Sequence, residues 1–564
     1  MDTRFDIVVI GSGAAGLTAA TVAAVEGRRV LLLEASPWVG GTTAISGGMV
    51  WIPANHKMAP AGLHDSMEAA RAYLEASVPP AADAAPLQAF LDHGDEAIRD
   101  LEARTTLRLQ PVLRYPDYYP ERPGSTLGGR VLEPVPFDAR VLGREFLRLR
   151  PPLPEFTLFG GMMIGRADIP HLRRAWRSPR SAWRVAGLLA RYVGERLSAP
   201  RGTSLVLGNA LAGRLFHAAL KAGVEVRTGM AVGRLLVRDG RVTGVEAGEV
   251  ASGSAAASLT VQARLGVILA CGGISHDLER RAAHVPALAG SLSATVPSGA
   301  TCSGAALAEA VGGRLDDDPH QQAFWVPASQ FRRPDGTHGV YPHTVADRAK
   351  PGLIAVDRQG QRFTNEAVSY HEFVNRQLQA GPQAVPAFLV CDRRFLWRYG
   401  LGAVKPFSRA LRHPIASGYL KTAPSIPALA QTLGLPPAAL EATVNTWNRD
   451  ARRGEDPAFG RGGNAYQRHL GDADHGPNPC VAPIEQAPYF AVEVRPADLG
   501  MAAGLVGDAK GRVLAADGQP IPGLYACGND LRSVMNGAYP GPGITLGPAL
   551  VFGWLAARHA ASQG

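Results

Sequence analysis

Nowhere does this chain run through about 18 consecutive apolar residues, so no membrane-spanning helix is expected of it. Its first residues, MDTRFDIVVIGSG, lack the basic, apolar and small-residue regions that follow one another in a secretory leader. They read instead as a strand running into a glycine turn. Cysteine is scarce: Cys271, Cys302, Cys391, Cys480 and Cys527 are odd in number and never in CxxC spacing. That argues against a disulfide framework or a zinc site and for buried thiols in a reducing compartment, so the cytoplasm is the expected location. The 15 histidines supply no HxxxH pair with nearby carboxylates, which argues against metal chemistry. Charged residues make up only 19% of the chain while glycines number 65, a balance that argues against disorder and for many tight turns. No internal repeat or low-complexity tract stands out.

The formal charge of +9 is unevenly placed. Between Leu172 and Arg201 stand Arg173, Arg174, Arg177, Arg180, Arg184, Arg191, Arg196 and Arg201, opposed only by Glu195. Trp176 and Trp183, seven residues apart, are expected on one face of this basic helical stretch, with Pro179 interrupting it. Two readings stay open for 172–201: a peripheral membrane contact on the inner face of the membrane, or a helix that covers a pocket or another copy. No nucleic-acid-binding module accompanies the charge, so nucleic acid is not an expected partner. Asp316, Asp317 and Asp318 read as a solvated acidic loop.

Along the chain, FDIVVI (5–10) is apolar enough for a central parallel strand. Gly11-Ser12-Gly13-Ala14-Ala15-Gly16 follows, then an alanine-rich helix to Gly27, then RRVLLLE ending at Glu34. This is one βαβ unit. Gly11 allows the tight turn, Gly13 lets the backbone approach a pyrophosphate, and Gly16 lets helix pack on strand. The helix N-terminus faces the phosphates, and Glu34 ends the second strand where a carboxylate accepts from a ribose diol. A dinucleotide site is the reading. FAD rather than NAD is suggested by the second glycine-dense loop, Gly40-Gly41-Thr42-Thr43-Ala44-Ile45-Ser46-Gly47-Gly48, whose small residues leave room for an isoalloxazine ring. ACGG (270–273) and YACGND (525–530) are further small-residue strand ends. A helix is expected over 208–224, strands around Asp239-Gly240 in 225–247, and a closing helix over 548–562. The expected architecture is α/β: a Rossmann-like two-dinucleotide-fold FAD-binding domain (1–310 and 499–564, with the basic insertion at 150–205) carrying an inserted α+β substrate domain (311–498).

VVIGSGAAGLTAA, LLLEASPWVGGTTAISGG, GLYACGND and PGPGITLGPALVFG, in that order, resemble the fumarate reductase/succinate dehydrogenase flavoprotein superfamily, and within it the 3-ketosteroid Δ1-dehydrogenases. The resemblance spans nearly the whole chain apart from the basic insertion. It implies FAD contacts at Gly11, Ser12, Gly13, Ala14, Ala15 and Gly16; at Glu34 and Ala35; and at Gly41, Thr42, Thr43, Ser46, Gly47 and Gly48. Further contacts are implied at Ala231, at Ala270 and Gly272, at Gly528 and Asn529, and at Gly543, Thr545 and Leu546. Covalent members carry a histidine just before the loop that here reads TTAISGG; this chain has none there, so the FAD is expected to be non-covalent.

Dicarboxylate enzymes of that superfamily clamp their substrate with an arginine near the C-terminal glycine motif, because a guanidinium grips a carboxylate bidentately. This chain has Tyr539 there, in Tyr539-Pro-Gly-Pro-Gly543. A phenol is a poor carboxylate clamp and a good donor to a ketone. The ketosteroid dehydrogenase resemblance implies that Tyr539 and the Gly543 amide hold the substrate carbonyl, as an oxyanion hole does. It also implies that Tyr370, ending RFTNEAVSY, removes the proton alpha to the carbonyl. Tyr118, in Pro116-Asp117-Tyr118-Tyr119, would then stabilise the anionic form, with hydride passing from the beta carbon to FAD N5. An ordinary tyrosine pKa near 10 means that such a base needs help from a neighbour. Phe324 and Trp325 are candidates for the pocket wall, and His343, His371 and His413 for its surroundings.

The expected activity is FAD-dependent desaturation of a ring ketone, a hydrophobic cyclic ketone being the substrate and an unidentified electron acceptor the partner. The A-ring of a 3-ketosteroid is the first choice. The alternatives are a smaller ketone of cyclohexanone type, a fumarate-reductase-like enone reductase, and a non-catalytic FAD-binding subunit.

Overall fold

Apolar on both faces, the strand Arg4–Ile10 takes the centre of an eight-stranded sheet, with Ile7, Val8 and Val9 fully buried. The protein is described by a computed structural model over residues 3–250, 259–288, 292–297, 303–318, 320 and 322–564. Along the main path the sheet runs Arg512–Leu514, Pro520–Ala526, Leu259–Leu269, Arg4–Ile10, Val30–Glu34 and Glu225–Thr228. The hairpin Met230–Arg238/Arg241–Glu249 attaches to Leu259–Leu269 and turns at Asp239-Gly240. The four central strands are parallel and in register: Ile10 lies opposite both Leu33 and Leu269, and Leu269 opposite Ala526. Their carboxyl ends, and the loops that follow, therefore share one edge of the sheet, where α/β proteins bind ligands.

The helix Ala14–Val25 is apolar almost all round and is correspondingly covered, lying against the helices Leu207–Lys221 and Leu546–Ala561. Gly553 permits the second crossing, because a Cβ there would sit 2.7 Å from the Ala15 carbonyl oxygen.

The second sheet has six antiparallel strands in the order His338–Pro342, Ala323–Arg332, Tyr489–Met501, Ala387–Asp392 and Leu353–Val356, with Lys421–Ala423 also pairing along Tyr489–Met501. The helix Tyr370–Gln379 packs on Ala323–Arg332. A buried ion pair, Arg281–Asp498 at 2.8 Å, ties the long strand to the helix Leu278–His284.

Two expectations are corrected. The basic stretch is not one helix: Ile169–Arg174 and Pro179–Arg196 are separate, with Ser178 capping the second and Pro179 at its start, where the missing N–H costs nothing. Trp176 lies in the turn between them and Trp183 in the second helix, so they do not share a helix face. The acidic run is not wholly solvated either. Asp316 is buried, with Arg532 Nη1 3.5 Å from its carboxylate. Cys271, Cys391, Cys480 and Cys527 are free thiols, three of them buried, while Cys302 lies outside the described residues.

Candidate active site

The glycines of the first turn divide by what stands next to them. A Cβ on Gly11 would lie 2.1 Å from the Ala270 carbonyl oxygen, and one on Gly16 1.9 Å from that of Gly11, so both close the packing of turn, helix and strand. On Gly13 it would meet nothing nearer than Thr43 Oγ1 at 3.8 Å, which leaves that backbone face open. The helix behind it begins with no side-chain cap on Gly13 and no acidic residue in its first turn, so its positive end is uncompensated. Ala14 N donates to Thr43 Oγ1 (3.0 Å), joining the second glycine loop to the first.

Glu34 is buried at the end of its strand. One carboxylate oxygen accepts from Ser12 N (2.9 Å) and Ser12 Oγ (2.6 Å), the other from Ser36 N (2.8 Å). Burial pushes its pKa up, and those donors work against the rise. Ala35 follows directly, and Ala231 is close by, since Gly229 N donates to the Ser36 carbonyl. In the second loop Gly40 N donates to Ser12, Val296 N to Thr42 Oγ1, Ser46 Oγ to the Thr43 carbonyl and Gly48 N to Ser46 Oγ. Gly48 has φ +68, and a Cβ there would strike Gly208 and Leu207; Gly47 carries no such crowding.

Ala270–Gly273 and Cys527–Asp530 are fastened together by Asp530, whose buried carboxylate accepts from Cys271 N and Gly273 N. Gly272, at φ +99, faces open space. Gly528 and Asn529 line a cleft with Phe324, Met501, Ile544 and Thr545. An open Gly13, an uncapped helix end, an open Gly272 and a buried ribose-type acceptor along one sheet edge fit a dinucleotide with a bulky second ring system. The expected FAD fits these residues.

The predicted tyrosines come together. Ring centroids of Tyr118 and Tyr370 are 5.7 Å apart, Tyr118 and Tyr539 5.6 Å, and Tyr370 and Tyr539 5.2 Å. Tyr466, which no sequence motif marks, joins at 4.8 Å from Tyr118. Phe324 meets Tyr539 edge-on at 5.6 Å, whereas Trp325 is not among the residues lining the cleft and gives its amide to His371 Nδ1 (3.2 Å). His371 lies 5.7 Å from the Tyr539 ring, and burial lowers its pKa to about 3, which keeps the imidazole neutral. Among the described residues the hydroxyls of Tyr115, Tyr118 and Tyr466 are buried without a well-formed hydrogen bond, although the Tyr118 hydroxyl lies near enough to act on Tyr370 and Tyr466 and Arg166 on Tyr115. An unpaired buried polar group costs about 1–3 kcal/mol, so three together mark a chamber made for something polar.

Each tyrosine is aimed by buried charge. Asp117 accepts from Trp51 Nε1 (2.9 Å) and from Arg130 (2.8 Å), and Arg130 also grips Asp65 with two bonds of 2.8 and 2.7 Å. Tyr118 N donates to the Pro540 carbonyl (2.9 Å), as does Tyr73 Oη (2.5 Å), so the PDYY and YPGPG segments are held face to face. Trp51 N donates to the Gly543 carbonyl (3.1 Å). Gly543 has φ +98, and a Cβ there would lie 2.6 Å from the Met49 backbone; its amide donates no hydrogen bond among the described residues. Thr545 stands just before the helix that begins at Leu546 and makes no side-chain capping bond to it.

Tyr370 opens its helix after the cap Ser369. The loop before it is tied by Arg362–Glu366 and Arg362–Asp456 (both 2.8 Å) and Arg461–Glu366 (3.0 Å). Burial raises the pKa of Tyr370 and Tyr118 well above 10; the Tyr118 hydroxyl works the other way on Tyr370 without cancelling it. The expected neighbour exists, and desolvation outweighs it.

His343 serves elsewhere. It lies between Ser329 Oγ (2.7 Å to Nε2) and Asp347 (2.7 Å to Nδ1), the order of a nucleophile triad. All three are buried, and Ser329 also meets Tyr419 Oη at 2.9 Å, so the serine is enclosed and already engaged. His413 is exposed and meets the Arg332 carbonyl. The basic insertion touches the chamber's rim: the Arg166 guanidinium lies 5.1 Å over the Tyr115 ring.

A family model described as FAD binding domain matches residues 6–546. A 4-oxocyclohex-2-ene-1-carboxylate 5-dehydrogenase of Sinomonas cyclohexanicum is 39% identical, over 99% of this chain and 93% of its own. A 3-oxosteroid 1-dehydrogenase of Mycobacterium tuberculosis is 38% identical, over 99% of each. Among solved structures, the 3-ketosteroid Δ1-dehydrogenase of Sterolibacterium denitrificans in complex with 1,4-androstadiene-3,17-dione superposes with a TM-score of 0.90 at 35% identity, covering 100% of both chains.

Proposed function

Since this chain belongs to the FAD-binding domain family, as a 3-ketosteroid Δ1-dehydrogenase-like member of the fumarate reductase/succinate dehydrogenase flavoprotein superfamily, we propose that it desaturates a ring ketone next to the carbonyl. The reading rests on the convergence of Tyr118, Tyr370 and Tyr539 beside the unengaged amide of Gly543. Tyr539 Oη and Gly543 N donate to the ketone oxygen and stabilise the enolate that forms there. Tyr370 takes the proton from the alpha carbon, with Tyr118 beside it. The aromatic walls and the buried arginine–carboxylate pairs keep these groups fixed. FAD, bound without a covalent link along the glycine loops, supplies the acceptor for the hydride of the beta carbon.

A 3-ketosteroid is the first substrate, supported by the steroid dehydrogenase relatives. The 39% identity to a dehydrogenase named for a 4-oxocyclohexene carboxylate favours a small cyclic ketone as the second. Anaerobic mixing of the flavin-loaded protein with androst-4-ene-3,17-dione, and separately with 4-oxocyclohex-2-ene-1-carboxylate, decides between them. Bleaching of the visible flavin band by the steroid, with a dienone product, supports the first; bleaching by the small ketone alone supports the second. If neither ketone bleaches it, the desaturase reading falls.

The division into 1–310 with 499–564 and 311–498 belongs to the same reading, with the cytoplasm as the location. Trp176 is 96% exposed and Trp183 84%, beside exposed Arg177 and Arg180, which supports peripheral contact of 172–201 with an anionic membrane face. Sedimentation with phosphatidylglycerol vesicles tests it: the Trp176→Ala/Trp183→Ala protein should stay in the supernatant while the unaltered protein pellets.

A further inference from the structure

The basic insertion brings one cation to the tyrosine chamber. The segment is fastened on both sides of that cation, by Glu155 to Arg333 (2.7 Å) and by Arg174 to Asp474. Between these fixings the short turn Arg166–Asp168 places the Arg166 guanidinium 5.1 Å over the ring of Tyr115. Its ion pair with Glu133 is open to 3.6 Å, beyond a hydrogen bond, and the other Glu133 oxygen accepts from Gln110 Nε2 (3.1 Å). Asp168, from the same turn, closes on Arg184 to 2.8 Å. Arg166 Nε is buried without a well-formed hydrogen bond among the described residues, and so is the Tyr115 hydroxyl. The Arg166 side chain as a whole is 33% exposed, so it stands where the chamber opens outward.

Two segments meet twice along one aromatic wall. Tyr118 meets Tyr466 at 4.8 Å, and Tyr115 meets His469 at 4.6 Å. Tyr466 and His469 are three residues apart in the helix Ala465–Leu470, so the second contact lies about 4.5 Å along the axis from the first. Tyr539 stacks on Tyr118 at the inner contact, 5.6 Å away, and Arg166 covers Tyr115 at the outer one. The inner donors, Tyr539 and the Gly543 amide, and the outer donors, Tyr115 and Arg166, therefore stand at the two ends of a short wall. Its length is comparable to the reach of a six-membered ring from one para substituent to the other.

The structure assigns to Arg166, together with the Tyr115 hydroxyl, the grip on a carboxylate that the substrate ring carries opposite its ketone. A guanidinium fork matches the two oxygens of a carboxylate, and the phenol adds a further donor to the same group. The assignment rests on the desaturase reading and sharpens its choice of substrate. An anionic ketone of cyclohexanone type, such as 4-oxocyclohex-2-ene-1-carboxylate, engages both ends of the wall at once. A 3-ketosteroid engages the inner end and brings hydrocarbon to the outer one, where the donors of Arg166 and Tyr115 go unused.

Anaerobic bleaching of the flavin-loaded protein is followed against concentration for 4-oxocyclohex-2-ene-1-carboxylate and for its methyl ester, which keeps ring and ketone and removes the charge. In the unaltered protein the ester should need about tenfold more or above to half-saturate, the worth of a hydrogen bond to a charged group. Arg166→Gln should bring that preference close to one, Tyr115→Phe should reduce it, and Arg166→Lys, which keeps the charge and loses the fork, should retain part of it. The change should fall on half-saturation rather than on the limiting rate of bleaching, because the carboxylate is held alike before and during the reaction. Glu133→Gln separates this from simple neutralisation of Glu133: the preference for the acid should persist or grow, and its loss there overturns the assignment. Equal half-saturation by acid and ester in the unaltered protein, or a loss in Arg166→Gln that is the same for both, overturns it too. If Arg166→Gln gives no folded holoenzyme, Arg166→Lys decides: a lowered preference supports the grip and an unchanged one overturns it. Bleaching by androst-4-ene-3,17-dione with neither acid nor ester overturns the grip and leaves the desaturase reading standing, whereas no bleaching by any of the three refutes that reading itself.

Discussion

The glycine cradle and the tyrosine chamber are built on different principles. The cradle's centre, Gly11 to Glu34, is one βαβ unit in which the backbone makes the surface and side chains matter mainly by being small. The chamber draws Tyr118, Tyr370, Tyr466 and Tyr539 from four segments spread over most of the chain, and buried charge holds them. A cradle of this kind fails when a Cβ is added in the wrong place. A chamber of this kind fails when a donor, or one of its distant clamps, is removed.

That contrast can be broken most sharply at Tyr370. Tyr370→Phe removes the base and little volume, so turnover should fall roughly 1,000-fold while the flavin content is unchanged. Turnover near normal in that variant would show that the chamber does not work through Tyr370. Next in size is the carbonyl clamp. Tyr539→Phe should lose about 100-fold in kcat, as removal of one oxyanion donor does. Gly543→Ala should do at least as much harm, because its Cβ would lie 2.6 Å from Met49 in a left-handed backbone. A variant that loses flavin instead of turnover would place Gly543 with the cradle.

The pH dependence is a smaller effect with a definite sign. Burial raises Tyr370 and Tyr118 well above 10, and the base works ionised, so the active fraction at neutral pH is small. Turnover should therefore climb about tenfold per pH unit through the neutral and mildly alkaline range. A flat profile there means that another group takes the proton. The mildest pair sharpens the cradle. Gly11→Ala drives a Cβ to 2.1 Å from the Ala270 oxygen and should cost about 3 kcal/mol or more in thermal unfolding. Gly13→Ala, with 3.8 Å of clearance, should leave the apoprotein within about 0.5 kcal/mol and weaken only flavin binding. Equal destabilisation by both would mean that Gly13 too is a packing glycine.

The cradle was legible because its parts are close in sequence and each glycine answers a local steric demand. The closing helix and the Asp239-Gly240 hairpin were legible for the same reason. The tyrosines were legible only through motif resemblance; spacing alone says nothing about Tyr118 meeting Tyr370. Tyr466 carried no signal, lying in the unmarked stretch AYQRHL of a short helix. Asp316 read as solvated because three aspartates in a row usually are, and only the fold brings Arg532 to it. The two exposed tryptophans were placed on one helix face because a seven-residue spacing suits a helix, but Pro179 starts a new one.

Taken by itself, the sequence determined the parallel strand with its glycine turn, the acidic end of the second strand, the phenol standing where a carboxylate-binding arginine would be, and the basic stretch at 172–201. These depend on periodicity, on glycine's freedom and on residue chemistry, all of which act over a few positions. Only the tertiary structure decided which phenols share a chamber and that burial raises rather than lowers their pKa. Desolvation and the pairing of buried charge are set by everything packed around a group, and that depends on residues hundreds of positions away.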